Sequence, residues 1–284
     1  MTNNEFESLL RSKLDSFSKA VATDEGEWIV KGFIDIYKNI YTISIDTKIV
    51  SKVIEILLFP MLQQFAEENG FDFYPPKHQN FYPDATFQHR SSGKLFAVDL
   101  KTSYRKSPDA VNGMTLGAFT GYFRNRASTK NIEHPYKDYS GHYALGVIYS
   151  QSEKFIDEKN RFTLEELESI PSVIHDFLFF VQPKYKIAKD QPGSGNTKNI
   201  GGITNISKLV NGRGPFSELG ESVFDDFWMY YLTKDMAKAL EIPRPYTNLK
   251  SYVEYKKNGI DLLEAKEDLI RSFEDDDSAN EEEE

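Results

Sequence analysis

Asp84 follows a proline, and after 14 intervening residues comes the triplet Asp99-Leu100-Lys101. The triplet lies within LFAVDLK (95–101), an apolar run that reads as a strand buried on both faces. Residues 99 and 101 of a strand project from the same face. A carboxylate and an ammonium side by side on a buried strand are costly to desolvate. Phosphodiester hydrolysis gives them a use. Two carboxylates, Asp84 and Asp99, can hold a hard divalent cation that keeps open water positions. Such a cation polarises phosphoryl oxygens and acidifies water. Lys101 can orient that water or stabilise charge developing in the transition state. The triplet alone carries little, because Asp/Glu-x-Lys also begins at Asp46, Asp157, Glu254 and Glu264. Only Asp99 lies in an apolar strand and follows Pro-Asp at hairpin distance. A salt-bridged pair at a strand end is the plain alternative. Glu55, between Ile54 and Ile56 beside the apolar stripe of a helix, offers a third acid; a solvated carboxylate at the rim is its other reading.

A second constellation is Gly193-Ser194-Gly195-Asn196-Thr197-Lys198-Asn199. Gly-Ser-Gly lets backbone approach a ligand closely. Asn can bond an adenine edge bidentately, and a Thr methyl can pack on a thymine methyl. One reading is a loop for the DNA major groove. A nucleotide-phosphate cradle is weaker, because no Gly-Lys-Ser/Thr follows at the required spacing. An ordinary flexible loop is the third reading. Lys77-His78-Gln79-Asn80 stands just before Pro83-Asp84, where amides could reach base or sugar edges in the minor groove; alone it reads as a turn. The histidines, at 78, 89, 134, 142 and 175, include no His-x-x-x-His zinc spacing. The absence of cysteine excludes disulfides, thiolate metal sites and thiol catalysis.

The 284 residues carry 34 bases and 44 acids, a formal charge of −10, which taken alone argues against a nucleic-acid partner. The distribution reverses that argument. The last 11 residues, EDDDSANEEEE, hold 8 acids and no base. Residues 90–140 carry 9 bases against 4 acids, and residues 182–213 carry 6 against 1. A local basic surface marks a nucleic-acid site better than net charge does; solvated charged faces are the alternative. With 21 Phe and 16 Tyr the core should be ring-rich. The longest apolar run, IEILLFPML, falls short of the roughly 20 residues of a membrane helix. The acidic, polar start is unlike a secretory or organelle leader. A soluble, cytoplasmic protein with no membrane partner is expected.

Elements must carry these groups. Phe6, Leu9, Leu10, Leu14, Phe17 and Val21 recur at helical spacing over 3–21. Residues 27–45 are β-branched and aromatic and read as one or two strands. Asp46 is a plausible N-cap for a helix that Asn69-Gly70 ends. FDFYPPKHQNFYPDATF is strand-like at both ends with a loop between, and 90–94 is a turn before the strand at 95–101. Residues 114–126 and 163–169 read as helical, 142–150 and 177–189 as strands, 221–240 as an aromatic helix and 246–271 as a further helix. Interleaved strands and helices predict one α/β domain over 1–271, with a catalytic core about 46–150 and a recognition loop about 182–213. An acidic tail over 272–284 should be disordered.

Together and in this order, DTKIVSKVIEILLFP (46–60), PPKHQNFYPD (75–84), FAVDLKTSY (96–104), TLGAFTGYFRN (115–125), STKNIEHPY (128–136) and GSGNTKNIG (193–201) resemble the EcoRV-type restriction endonucleases of the PD-(D/E)xK superfamily. The resemblance thins after about residue 232. It implies a central mixed β-sheet flanked by helices, with a restriction-endonuclease-like core. It implies Asp84 and Asp99 as metal-binding acids, Lys101 as the active-site lysine and Glu55 as the helix acid near the metals. Lys48 falls on a lysine close to the dimer interface and DNA. Gly193 through Asn199 match the major-groove loop: Gly193 and Gly195 read the outer G·C pair, and Asn196 and Thr197 the next two pairs. Gln79 and Asn80 match the minor-groove loop. Thr102 and Ser103 lie among expected DNA or backbone contacts. The implied protein is a homodimer that uses Mg²⁺ to cut double-stranded DNA at GATATC to blunt ends, with a cognate DNA methyltransferase as companion. His78 stands where the pattern has Gln, Ser103 where it has Thr, and Lys198 adds a possible phosphate contact. The helix around Trp228 lacks the arginines expected there, so no C-terminal DNA contact carries over.

Overall fold

The computed structural model describes residues 1–153, 159–194 and 197–257. Its helices are α1 (Asn3–Arg11), α2 (Leu14–Lys19), α3 (Thr47–Glu68), α4 (Ile206–Asn211), α5 (Glu221–Tyr230), α6 (Lys234–Ala239) and α7 (Leu249–Lys256). Its strands are β1 (Gly32–Ile34), β2 (Ile40–Thr42), β3 (Phe71–Tyr74), β4 (Ala85–His89), β5 (Leu95–Tyr104), β6 (Thr115–Ala118), β7 (Tyr139–Gln151), β8 (Arg161–Phe162), β9 (Ile174–Pro183), β10 (Ala188–Pro192) and β11 (Asn199–Gly202). The chain forms two compact units, each from two stretches: residues 1–112 with 139–181, and residues 113–138 with those from 182 on. Because the stretches interleave, no single break in composition marks the units. The acidic tail, 272–284, lies outside the described residues.

The first unit is an α/β layer around a five-stranded mixed sheet in the order β3-β4-β5-β7-β9. β3, β4 and β5 pair antiparallel, and β5 runs parallel to β7 over ten paired positions. Asp46 caps α3 through its carboxylate, which accepts from the amides of Lys48 and Ile49. Asn69 and Gly70, the latter at φ +75°, end the helix. By length and composition α3 could cross a membrane. Here Val50, Ile54, Leu58 and Leu62 are fully buried in the core, on the face of β5 that presents Phe96 and Val98. The ring-rich core is found where expected: Phe6 of α1 stacks on Phe96 at 4.3 Å, and Phe65, Phe71 and Phe87 close around it. The opposite face of β5 carries Ala97, Asp99 and Lys101. A separate small sheet, β1-β2-β8, holds the predicted strands of 27–45.

The second unit contains the sheet β10-β11-β6, paired antiparallel. Its helices enclose an aromatic cluster in which Phe227 touches Trp228, Tyr231, Tyr246 and Tyr252 with centroids 5.1–5.6 Å apart.

Four element expectations are corrected. Residues 114–126 are a strand, β6, and a single tight turn, not a helix. Gly117 and Gly121 adopt φ +88° and +60°, which interrupts helical backbone, and β11 supplies hydrogen-bond partners instead. The strand at 177–189 stops at Pro183, followed by a 3-10 turn over Lys184–Ile187. The aromatic helix at 221–240 is two helices, α5 and α6, with Thr233 capping the second. The first 21 residues hold two helices that part at Ser12-Lys13.

Candidate active site

Asp84 sits in the bend between Pro83 and β4, and Asp99 lies on the central strand β5. Antiparallel pairing sets Ala85 opposite Val98, which brings Asp84 to the Asp99-Lys101 stretch. The Asp84 carboxylate accepts from the Leu100 amide at 2.7 Å. Lys101 Nζ lies 2.6 Å from Asp99 Oδ2. Asp99 is only 8 % exposed. Burial pushes the Asp84 carboxyl up to about 8, and the neighbouring Asp99 charge and a hydrogen bond with Asp99 push the same way; Lys101 and the Leu100 amide oppose them. Burial acts against the Lys101 charge, but the Asp99 and Asp84 carboxylates outweigh it and hold the ammonium above the usual lysine range. Two carboxylates are thus forced together at one centre, with a cation at one side. The all-oxygen donor set of this centre fits a hard divalent cation.

Glu55 is not gathered with them. It sits on α3, the helix that packs on the other face of β5, and pairs with Lys52 at 2.6 Å. Its charge reaches Lys101 only as the smallest of several influences. Among the described residues no three His, Cys, Asp or Glu side chains form a group that could hold a metal.

Lys48 is exposed on the first turn of α3. The Thr102 hydroxyl shares a 2.5 Å hydrogen bond with Ser51 of α3. Ser103 is buried and its hydroxyl donates to the Asn112 carbonyl, so this side chain is turned into the protein. Gln79 and Asn80 are exposed on the turn before Pro83. These groups all belong to the first unit.

The glycine loop belongs to the second unit, as the connection between β10 and β11. Gly193 N donates to Asn199 O at 2.9 Å, Thr197 N to Ser194 O at 3.1 Å, and Phe119 N to Lys198 O at 3.0 Å. A Cβ on Gly201 would come within 2.9 Å of the Gln191 carbonyl oxygen, so this position needs glycine for close backbone approach. Ser194 and Lys198 are exposed. The Thr197 hydroxyl is buried without a hydrogen-bond partner among the described residues. Gly195 and Asn196 lie outside the described residues.

The family model "Restriction endonuclease EcoRV" matches residues 24–257. The chain is also 34 % identical over 214 residues to the type II restriction enzyme EcoRV of Escherichia coli, covering 75 % of this chain and 86 % of that one. This chain belongs to the EcoRV family of restriction endonucleases. It is a site-specific deoxyribonuclease. Among solved structures, the NlaIV restriction endonuclease matches with a TM-score of 0.39 and 13 % identity, over 86 % of this chain and 94 % of that one.

Sequence reasoning passed over one group of this unit. Tyr82, Thr86, Tyr139 and His142 are all buried on the catalytic side of the sheet. The only signal for them was a tyrosine directly before Pro83-Asp84, since His142 joins the group through strand pairing.

Proposed function

We propose that this member of the EcoRV family is a type II enzyme that cuts both strands of palindromic DNA in a Mg²⁺-dependent reaction, leaving 5′-phosphates and 3′-hydroxyls. The observation that carries this reading is the Asp84–Asp99 pair, two carboxylates held in hydrogen-bond contact beside a cationic lysine. Asp84 and Asp99 would hold the cation. When bound, it supplies Lewis acidity to the scissile phosphate and the attacking water. Lys101 stays protonated beside Asp99. It therefore acts as a charge stabiliser and a hydrogen-bond donor to the water or phosphate, not as the base. The Leu100 amide fixes one oxygen of Asp84 and so limits the carboxylate's rotation.

Recognition falls to Gly193–Asn199 in the major groove and to Gln79 and Asn80 in the minor groove, with Lys48, Thr102 and Lys198 as further DNA contacts. The close likeness of the glycine loop supports GATATC, cut at its centre to blunt ends, as the site. Glu55, paired with Lys52, would influence the centre at a distance. A palindrome calls for a two-fold protein. The exposed apolar hairpin of the first unit supports pairing of two copies: Phe33, Ile34 and Tyr41 are exposed, and Ile36 and Tyr37 are 89 % and 79 % exposed. Such an enzyme works in the cytoplasm, and its host needs a methyltransferase to protect the same sequence.

A digest of a long, fully sequenced plasmid in Mg²⁺, with fragment ends mapped and Asp99→Ala as control, tests the reading. Discrete blunt fragments from one palindrome are expected. A smear, or cutting confined to DNA junctions, would reject the recognition loop. No cutting in Mg²⁺ or Mn²⁺ would reject catalysis. Sedimentation of the wild type against Ile36→Asp tests the dimer, which the charge should dissociate.

A further inference from the structure

Four polar side chains lie buried beside the catalytic pair and take no part in the reaction as described above. Tyr82 Oη and His142 Nδ1 are 2.8 Å apart, and Thr86 Oγ1 and Tyr139 Oη are 2.9 Å apart. The His142 ring lies 5.8 Å from the Tyr82 ring at 27° and 5.4 Å from the Tyr139 ring. All four are less than 9 % exposed. Buried polar groups of this kind are costly unless their hydrogen bonds are met, and a row of them demands a reason.

Sheet register supplies one. On β7, His142 pairs with Ala97, Ala144 with Asp99 and Gly146 with Lys101. His142 therefore projects from the same face as Asp99 and Lys101, one pleat earlier. On the other side of β5, Thr86 pairs with the same Ala97. Tyr82 precedes Asp84 by two residues, with only Pro83 between. The proline ring fixes φ at that position, so little backbone freedom separates the Tyr82 anchor from the Asp84 carboxylate. The Tyr82–His142 hydrogen bond thus ties the turn carrying Asp84 to β7, across the strand that carries Asp99.

We propose that Tyr82 and His142 are a positioning pair that sets the separation of the Asp84 and Asp99 carboxylates and so tunes their grip on a divalent cation. This rests on the reading of Asp84 and Asp99 as metal ligands. The pair touches no substrate. Its effect passes through Asp84 alone. Outer-shell partners of metal-binding carboxylates typically change affinity or activity by about 10–100-fold when lost.

The test uses the full-length protein and Mn²⁺ as the probe, with binding in the absence of DNA read from loss of the free-ion electron paramagnetic resonance signal. Tyr82→Phe removes one oxygen and little volume. It should weaken Mn²⁺ binding by about tenfold or more and lower kcat, with KM for DNA unchanged. His142→Leu should do the same. His142→Asn, which keeps a polar atom near the Nδ1 position, should recover most of the loss. Tyr82→Phe combined with His142→Leu should weaken Mn²⁺ binding no further than either alone, because each breaks the same Tyr82–His142 hydrogen bond. A Tyr82→Phe protein with a lower Tm but wild-type Mn²⁺ affinity and kcat overturns the positioning role and leaves the catalytic reading standing. A wild type that binds no Mn²⁺ overturns both.

Discussion

The two units solve different problems with different materials. The proposed catalytic groups of the first unit sit on or beside the longest paired strands, with ten-residue parallel pairing behind Asp99 and Lys101. The proposed recognition groups of the second unit sit on the connection between β10 and β11, closed by short strands with irregular register. Chemistry at phosphorus tolerates little displacement of its ligands. Reading base edges requires backbone that can approach closely and adapt, which glycine provides. Both units also hold a half-buried carboxylate whose proton is held tightly. In the first it is Asp84, pushed up mainly by burial and by Asp99. In the second it is Glu221, pushed up to about 7 by burial and by Asp225, against Arg126 and Lys184. Arg126 pairs with Asp225 at 2.7 Å and lies over the rings of Phe123 and Tyr136, so that cluster is built as internal structure. The Glu221 carboxyl is thus raised inside an ion-paired cluster, whereas Asp84 is raised beside a second acid, a lysine and a backbone donor.

The comparison breaks most readily at Asp99. Asp99→Ala should lower the cleavage rate about a thousandfold or more, roughly 4 kcal/mol of transition-state stabilisation, in single-turnover assays. DNA bound without metal should be retained.

The two raised carboxyls separate in pH-dependent melting. A carboxyl whose folded pKa lies above its unfolded value destabilises the fold as it ionises. The Asp84 contribution should therefore lower Tm as pH rises from about 4 to about 8, and Glu221 should do so from about 4.5 to about 7. Glu221→Gln should stabilise the protein by on the order of 2–3 kcal/mol at pH 8 and hardly at all at pH 4. Mg²⁺ should abolish the Asp84 contribution and leave the Glu221 contribution intact. A Mg²⁺ effect that vanishes in Glu221→Gln would invert the assignment.

Asn196→Ala should lose about 1–3 kcal/mol of discrimination between the site and single-base variants, measured as the ratio of kcat/KM values, with Mn²⁺ affinity unchanged. Equal loss on all sequences would mean that the loop serves affinity alone. The smallest effect belongs to the acidic tail. Truncation after Arg271 removes 8 acids and should tighten DNA binding a few-fold at low salt, with the gain fading as salt rises. An unchanged affinity would rule out competition between tail and DNA.

Much of the local architecture was legible. The Asp46 cap, the Asn69-Gly70 stop and the strand at 95–101 follow from residue type and period, and each is found. The errors share a cause. TLGAFTGYFRNRA (115–127) contains helix-compatible spacing, yet β11 competes for its backbone and two glycines turn with positive φ. The run 221–240 reads as one helix, but α5 ends at Tyr230 and Thr233 caps α6, which carries no ring; the period does not register the break between them. At the site, the Asp84–Asp99–Lys101 pattern could be read because hairpin pairing is local. For Glu55, helix geometry says which face of the helix a residue occupies but not which face of the sheet the helix covers. His142 is 43 residues from Asp99 and joins it through parallel pairing, which no local signal encodes.

The sequence by itself therefore determined the chemistry available: the acids, the lysine, the glycine loop, the basic stretches and the family they spell. Tertiary structure decided which of those groups meet. Side-chain type and short-range period are properties of neighbouring residues. The parallel pairing of β5 with β7 behind Asp99 and the burial of Tyr82 against His142 depend on strand order and register, which arise only when distant segments pack to bury their apolar faces together.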